Sequence, residues 1–373
     1  MADTLVTNES IIWRATEAFC LSLALVAVAA CGGGSTNPIV QGGTASISVA
    51  GHSTHVIVPS ASQAARAKEI RRLYATRPRV VSGAPFKAAL SGNGQMLAIG
   101  YTSGQLVIWN LDHTQRPALV LRNAVTTSPP VLGLAISSDG QLLATAYTDN
   151  RISIWNIPHQ EALGDLRATQ ATTVLKFSAG SARLLAVSFR LDIFGIRSVG
   201  NYSSSLPVPA GGIADPVDAN FGPNGLSVVA VTYGYFAVWN PGKTRPQLVH
   251  TGLGGLAVSP DGTKIAAAAG DQVSVWDVNG RREIASWHAP IKVDSATFLG
   301  NDQRLAVGGH TSSGVRAVDV YNIAAQQLLT QYRGAGKGSV DRIIYDPDGL
   351  ILAMSQGAHA YPQHELDIFV APH

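Results

Sequence analysis

An all-β fold made of seven repeated units is what this sequence predicts, and three observations carry that prediction. One phrase recurs: "GQMLAIGYTSGQLVIWN" at 94–110 returns as "GQLLATAYTDNRISIWN" at 140–156. Its segments, such as "LVIW" and "ISIW", are β-branched and aromatic with period-two alternation, the mark of half-buried strands. No long amphipathic helical pattern interrupts the series.

Taken in order, each copy opens at a turn, which in five of the seven is an Asn-Gly or Asp-Gly pair. Such pairs supply the positive φ angles that tight hairpins need. The looser copies are "SARLLAVSFRLDIFGI" (181–196), "NGLSVVAVTYGYFAVWN" (224–240), "DGTKIAAAAGDQVSVWD" (261–277), "NDQRLAVGGHTSSGVRAVDVYN" (301–322) and "DGLILAMSQGAHAYPQHELDIFV" (348–370). They close on Trp109, Trp155, Phe194, Trp239, Trp276, Tyr321 and Phe369, at separations of 46, 39, 45, 37, 45 and 48 residues. An apolar stretch precedes each turn pair ("VLGLAIS", 131–137), and a less regular one follows each aromatic ("REIASWH", 282–288). Four strands in about 40–45 residues make one blade of a β-propeller. Turn residues Asp139, Asp261 and Asp348 are read as bonding their own backbone.

Residues 69–370 resemble WD40 repeats, best in "SPDGTKIAAAAGDQVSVWDV" (259–278) and "SSDGQLLATAYTDNRISIWNI" (137–157). The resemblance implies a seven-bladed propeller that presents loops to protein partners. It is divergent. The family's Gly-His dipeptide is missing from its place, with His250 and His288 nearby. Tyr101, Tyr147, Phe189 and Tyr233 stand where the family's hydrogen-bonding Ser is expected, and are read as packing between adjacent blades.

A ring must close. Four residues follow Phe369, too few for an outer strand, so "EIRRLYATR" (69–77) is expected to pair with the last blade. Such pairing would remove an exposed edge.

Ahead of the repeats, "AFCLSLALVAVAAC" (18–31) is a run of thirteen apolar or small residues ended by Cys31. It is too short to span a bilayer and has the length of a signal-peptide core. "VAAC" (28–31) resembles a bacterial lipobox, which implies lipidation at Cys31. Gly32 after it favours the outer membrane, facing the periplasm. The leading segment departs from the pattern, with Asp3, Glu9 and Glu17 against Arg14 alone. The expected domains are a signal peptide (1–30), a flexible tether (31–65) and the propeller (66–373). Within the tether, "ASISVAGHSTHVIVP" is a candidate hairpin.

Function is less visible. Removing Arg14 from 27 basic residues, and Asp3, Glu9 and Glu17 from 24 acidic ones, leaves 26 against 21, a balance that decides little. The basic stretch 66–79 lacks interleaved base-stacking aromatics, so no nucleic-acid partner is expected. There is no G-x-S-x-G elbow, no H-E-x-x-H and no P-loop. No catalytic residue, cofactor or metal is assigned, and the chain is expected to be a monomer. Asp218, Asp294 and Asp341 recur at the starts of inner strands, and either form an acidic arc at the channel mouth or cap their own loops. The second-to-third-strand loops of the last two blades are long and hold His310, His359, Tyr361, His364 and Glu365. The expected partner surface joins these loops to the neighbouring strand starts, and comprises Asp294, His310, Asp341, Arg342, His359, Tyr361 and His364. The leading function is a non-catalytic interaction scaffold, tied to the membrane by its lipid. Its rival is a propeller enzyme, lactonase-like or a metal-dependent hydrolase.

Overall fold

The computed structural model describes residues 43–49, 52–75, 81–83, 85–115, 117–121, 131–188, 191–196, 202–206, 216–223, 225–240, 243, 245–300, 302–356 and 364–372. Apart from one helix, these residues form strands joined by turns. β1 (Gly43–Val49) and β2 (His52–Val58) pair as an antiparallel hairpin inside the stretch expected to be a tether. Helix α1 (Ala61–Ala75) follows.

Every later strand belongs to an antiparallel meander whose members pair in chain order. The first runs β3 (Pro85–Leu90), β4 (Met96–Tyr101), β5 (Leu106–Asn110) and β6 (Leu119–Leu121). The second is β7 (Val131–Ile136), β8 (Leu142–Tyr147), β9 (Arg151–Asn156) and β10 (Glu161–Arg167). The third is β11 (Val174–Phe177), β12 (Arg183–Val187), β13 (Leu191–Gly195) and β14 (Tyr202–Leu206). A seven-stranded sheet comes next, through β15 (Asp218–Phe221), β16 (Val228–Val231), β17 (Tyr233–Trp239), β18 (Gln247–Val258), β19 (Lys264–Ala269), β20 (Gln272–Asp277) and β21 (Arg282–His288). Strand β18 serves twice there. Gln247–His250 pairs with β17, while Gly254–Val258 pairs with β19. Then come β22 (Lys292–Leu299), β23 (Arg304–His310), β24 (Val315–Asn322) and β25 (Gln327–Lys337), and lastly the three strands β26 (Arg342–Asp346), β27 (Leu350–Gln356) and β28 (His364–Val370).

The turns between first and second strands explain the recurring phrase. In Ser137-Ser138-Asp139-Gly140 the Ser137 hydroxyl and the Gln141 N–H both donate to Asp139, and Gly140 takes a φ of 73°. Ser259, Asp261 and Gly262 repeat the arrangement, with Gly262 at 69°. In the last sheet Asp346 stands in the Ser position and accepts from the Asp348 N–H.

The core is divided among the junctions between successive units, as expected when each repeat buries its faces on its neighbours. Leu184, Phe194 and Ala186 pack with Ile152, Ile154 and Leu166 of the preceding unit. First strands lie against one another in the order β3, β7, β11, β15, β18, β22, β26, and β26 lies against β3.

The strand expected over 69–77 is not there. Residues 61–75 are helical, and their Ile70, Leu73 and Tyr74 are buried against Leu350, Leu352 and Met354 of β27 and Leu97, Ile99 and Tyr101 of β4. The physical reason is local. Gln63 accepts from the Ser60 N–H while Ser60 Oγ accepts from the Gln63 N–H, a reciprocal capping box at the helix start. The alanine-rich segment behind it favours helix over strand. Ala67, Ile70 and Leu73–Tyr74 recur at helical spacing.

Candidate interaction face

Three of the residues expected to meet a partner, Asp294, His310 and Asp341, come from β22, the end of β23 and the connection between β25 and β26. In four first strands one residue is bulged out of the ladder: Phe86, Leu132, Leu256 and Asp294. Three are apolar. Asp294 is the polar exception, and it gains two donors. His310 Nδ1 lies 3.1 Å from Asp294 Oδ2, and the Ser339 hydroxyl donates to the same oxygen. His310 and Asp294 remain about one-third and two-fifths exposed, so the cluster forms part of the surface.

The segment carrying Ser339 is pinned to the same sheet by backbone bonds. The Gly338 N–H donates to Gly314 O at 3.0 Å and the Val340 N–H to Gly309 O at 3.2 Å. Ser295 Oγ donates to Val340 O at 2.6 Å. Close approach of this segment to Gly308, and of β22 to Gly309, leaves no room for side chains at these positions of β23. A Cβ at Gly308 would meet Val340 Cγ1 at 2.7 Å, and one at Gly309 would meet Lys292 O at 1.8 Å. Ser339 was not legible as a site residue, because nothing in "GKGSVDR" marks which hydroxyl will reach a bulge 45 residues away.

Of the remaining expected residues, Asp341 is exposed beside this segment, with its N–H bonded to Met354 O. Arg342 begins β26 opposite Met354 of β27 and is electrostatically coupled to Asp218 and Lys87. His364 begins β28 opposite Gln356. Cys31, His359 and Tyr361 lie outside the described residues, as does Phe189.

The three recurring aspartates do not take equivalent places. Asp218 is a paired ladder residue opposite Val231, Asp294 is a bulge residue, and Asp341 precedes its strand. Asp218 is held by Lys176 Nζ at 3.5 Å and by the Val258 N–H at 3.1 Å. Among the described residues no group of three or more His, Cys, Asp and Glu comes together in a way that would hold a metal ion. Tyr101 and Tyr147 are buried between units, Tyr147 with the Arg151 guanidinium 4.7 Å from its ring centroid. Tyr233 corrects the expectation of interblade packing. It is 67% exposed, at the strand end where β17 meets Gly254.

The chemistry of the Asp294 cluster is that of a clamp. In a hydrolytic triad the imidazole lies between carboxylate and hydroxyl, so that it can take the nucleophile's proton. Here the carboxylate lies between His310 and Ser339, and the hydroxyl proton is directed to Asp294.

Residues 120–156 match the family model described as WD domain, G-beta repeat. Among solved structures, the Myceliophteria thermophila Cps50 (Swd1) beta-propeller domain is 15% identical, with a TM-score of 0.64, covering 78% of this chain and 98% of that one. The RRP9 WD40 repeats are 17% identical, with a TM-score of 0.60, covering 76% of this chain and 92% of that one. No curated protein matches by sequence. The chain thus contains a WD40 repeat by sequence and has the all-β propeller fold of WD40 structures.

Proposed function

We propose that this chain is a non-catalytic protein-interaction scaffold: a seven-bladed propeller, anchored by lipid on Cys31 at the periplasmic side of a bacterial outer membrane. The blade count is supported by the seven first strands that neighbour one another in a cycle, with β18 serving as the outer strand of the fourth blade and the inner strand of the fifth. Closure of the ring falls to α1, which sits on the last blade where a fourth strand would lie and also touches the first blade.

The observation that carries the functional reading is the double donation to Asp294. It fixes two connections of neighbouring blades into one rigid, polar, part-exposed surface, and function on rigid scaffolds concentrates in such loops. In this reading Asp294, His310 and Asp341 belong to that surface, and His359, Tyr361 and His364 are proposed to join it from the adjoining blade, with Tyr361 as the aromatic anchor. Arg342, also expected on this surface, is part-buried in β26.

Crosslinking in living cells followed by affinity capture tests this reading. Wild-type protein should capture a specific partner from the membrane fraction, and H310A combined with Y361A should reduce capture with no loss of thermal stability. C31S should move the protein to the soluble fraction and abolish lipid labelling. Capture that survives H310A/Y361A but is lost on substitution of exposed residues at the opposite ends of the strands would place the partner elsewhere. A wild-type protein that never takes lipid label would remove the anchor.

A further inference from the structure

Aligning the units on the partners of their closing aromatics puts one residue of each first strand in a common row. Three residues along the second strand from that partner, the facing first-strand residue is Lys87 in the first unit, Asp218 in the fourth and Arg342 in the last. The same row holds Gly133, Val174, Gly254 and Ser295, none of which carries a charge. Lys176 stands one turn of the pleat deeper in β11 and closes the ion pair with Asp218.

Asp218 is thereby matched by Lys176; of the two cations on the other side of the row, Lys87 has the Phe86 ring 5.4 Å from its Nζ, and Arg342 feels the Asp218 charge without an ion-pair contact. Strands β26 and β3 are neighbours, so Arg342 and Lys87 lie side by side. Among the described residues neither makes a hydrogen bond or ion pair with a carboxylate. Burial, followed by the charge of Arg342, pushes Lys87 down to about 8, and burial lowers Arg342 as well, with Asp218 acting against it. Both side chains nevertheless keep part of their surface accessible. Groups enclosed by protein yet still accessible are what line an internal channel.

Two adjacent, poorly solvated cations repel, and such an arrangement is destabilising unless something of opposite charge completes it. We propose that Lys87 and Arg342 form a binding site for a small doubly charged oxyanion, sulfate- or phosphate-like, in the space enclosed by the first strands. The guanidinium offers two parallel N–H donors to two oxygens of such an ion, and the ammonium supplies a point charge to a third. The Lys176–Asp218 pair forms the facing wall and adds no unbalanced charge of its own. Elsewhere, the buried Arg333–Asp319 and Arg316–Asp367 pairs already hold their carboxylates and need no ligand.

Sulfate is the probe, because it stays doubly charged across the whole range in which Lys87 titrates. At matched ionic strength the full-length protein should bind sulfate near pH 7, and binding should weaken as pH rises above about 8. K87M should weaken it by roughly tenfold or more, the loss of a charge-assisted contact, while K87R should retain it. Without sulfate, K87M should melt above the wild type, because one of two repelling cations is gone. R342M serves as the second variant and should show the same loss of sulfate binding. Equal sulfate binding by wild type, K87M and R342M would overturn the proposal, as would wild-type protein that fails to bind sulfate. A lower melting temperature for K87M in sulfate-free buffer would show that Lys87 has a partner and would equally overturn it.

Discussion

Two junctions of this molecule solve the same problem in opposite ways. Between the fourth and fifth units the chain never leaves the sheet, because β18 runs from one into the other, with Gln247–His250 paired to β17 and Gly254–Val258 paired to β19. Between the last unit and the first no strand is shared among the described residues. Helix α1 lies over both, and Arg66 on it reaches Asp346 at 2.7 Å, Asp348 at 3.0 Å and the Gly94 carbonyl. Those partners are the turn residues of the last unit and of the first. One junction is continuous backbone; the other is a side-chain latch laid over an apolar seat of Ile70, Leu73 and Tyr74. A latch can be undone by one substitution, whereas a shared strand can only be strained.

R66A should have the largest effect. It leaves the Asp346 carboxylate, whose side chain is fully buried, without its cation, which costs about 3 kcal/mol. Chemical denaturation should show that loss, and hydrogen exchange should rise along the outer edge of β28 while β18 stays protected. Exchange rising equally in β18 would mean that the two junctions are not independent. G255A should follow, at about 2 kcal/mol. A Cβ there would stand 2.5 Å from Val231 Cβ and 2.8 Å from Thr232 O, so β18 must shift where it changes partners. Its exchange signature should appear in β17 and β19 and leave α1 untouched.

The smallest effect concerns a third junction, where the turn Asp302 of the sixth unit meets Asp261 of the fifth. Burial and then the Asp261 charge hold Asp302 up to about 6. A carboxyl whose folded value lies above the ordinary one binds its proton more tightly when folded. Its contribution is therefore fullest below about pH 4 and is lost as pH rises through 6. Asp261 is exposed, so solvent screens the pair and the step should be about 1 kcal/mol. D302N should flatten the pH dependence of stability in that window; an unchanged slope would assign it to another group.

Much of the fold was legible because hairpins are local. The turn pairs, the alternation in "LVIW" and "VSVW" and the closing aromatics lie within one strand–turn–strand unit, and β5, β9 and β20 carry them as read. Helix α1 was misread because arginines in "EIRRLYATR" mask its pattern, although Ser60 and Gln63 hold a capping signal three residues apart. Residues of the candidate site were harder to place. His310 and Asp294 meet as expected of one face, but whether an aspartate joins the ladder or bulges from it depends on register, which its neighbours in sequence do not encode. The Lys87–Arg342 row is further from the sequence still. It appears only once β26 and β3, from opposite ends of the repeat region, are seen to lie against each other.

The latch also dictates an order of events. Arg66 and Asp346 are 280 residues apart, so on a chain made from its N-terminus the helix exists long before its seat does. Until β27 and β28 have been synthesised, Ile70, Leu73 and Tyr74 have only half of their burial site. Contacts this distant in sequence form late and slowly. The nascent chain therefore carries these three apolar side chains half-covered through most of its synthesis, and that stretch is where a chaperone would have to hold it.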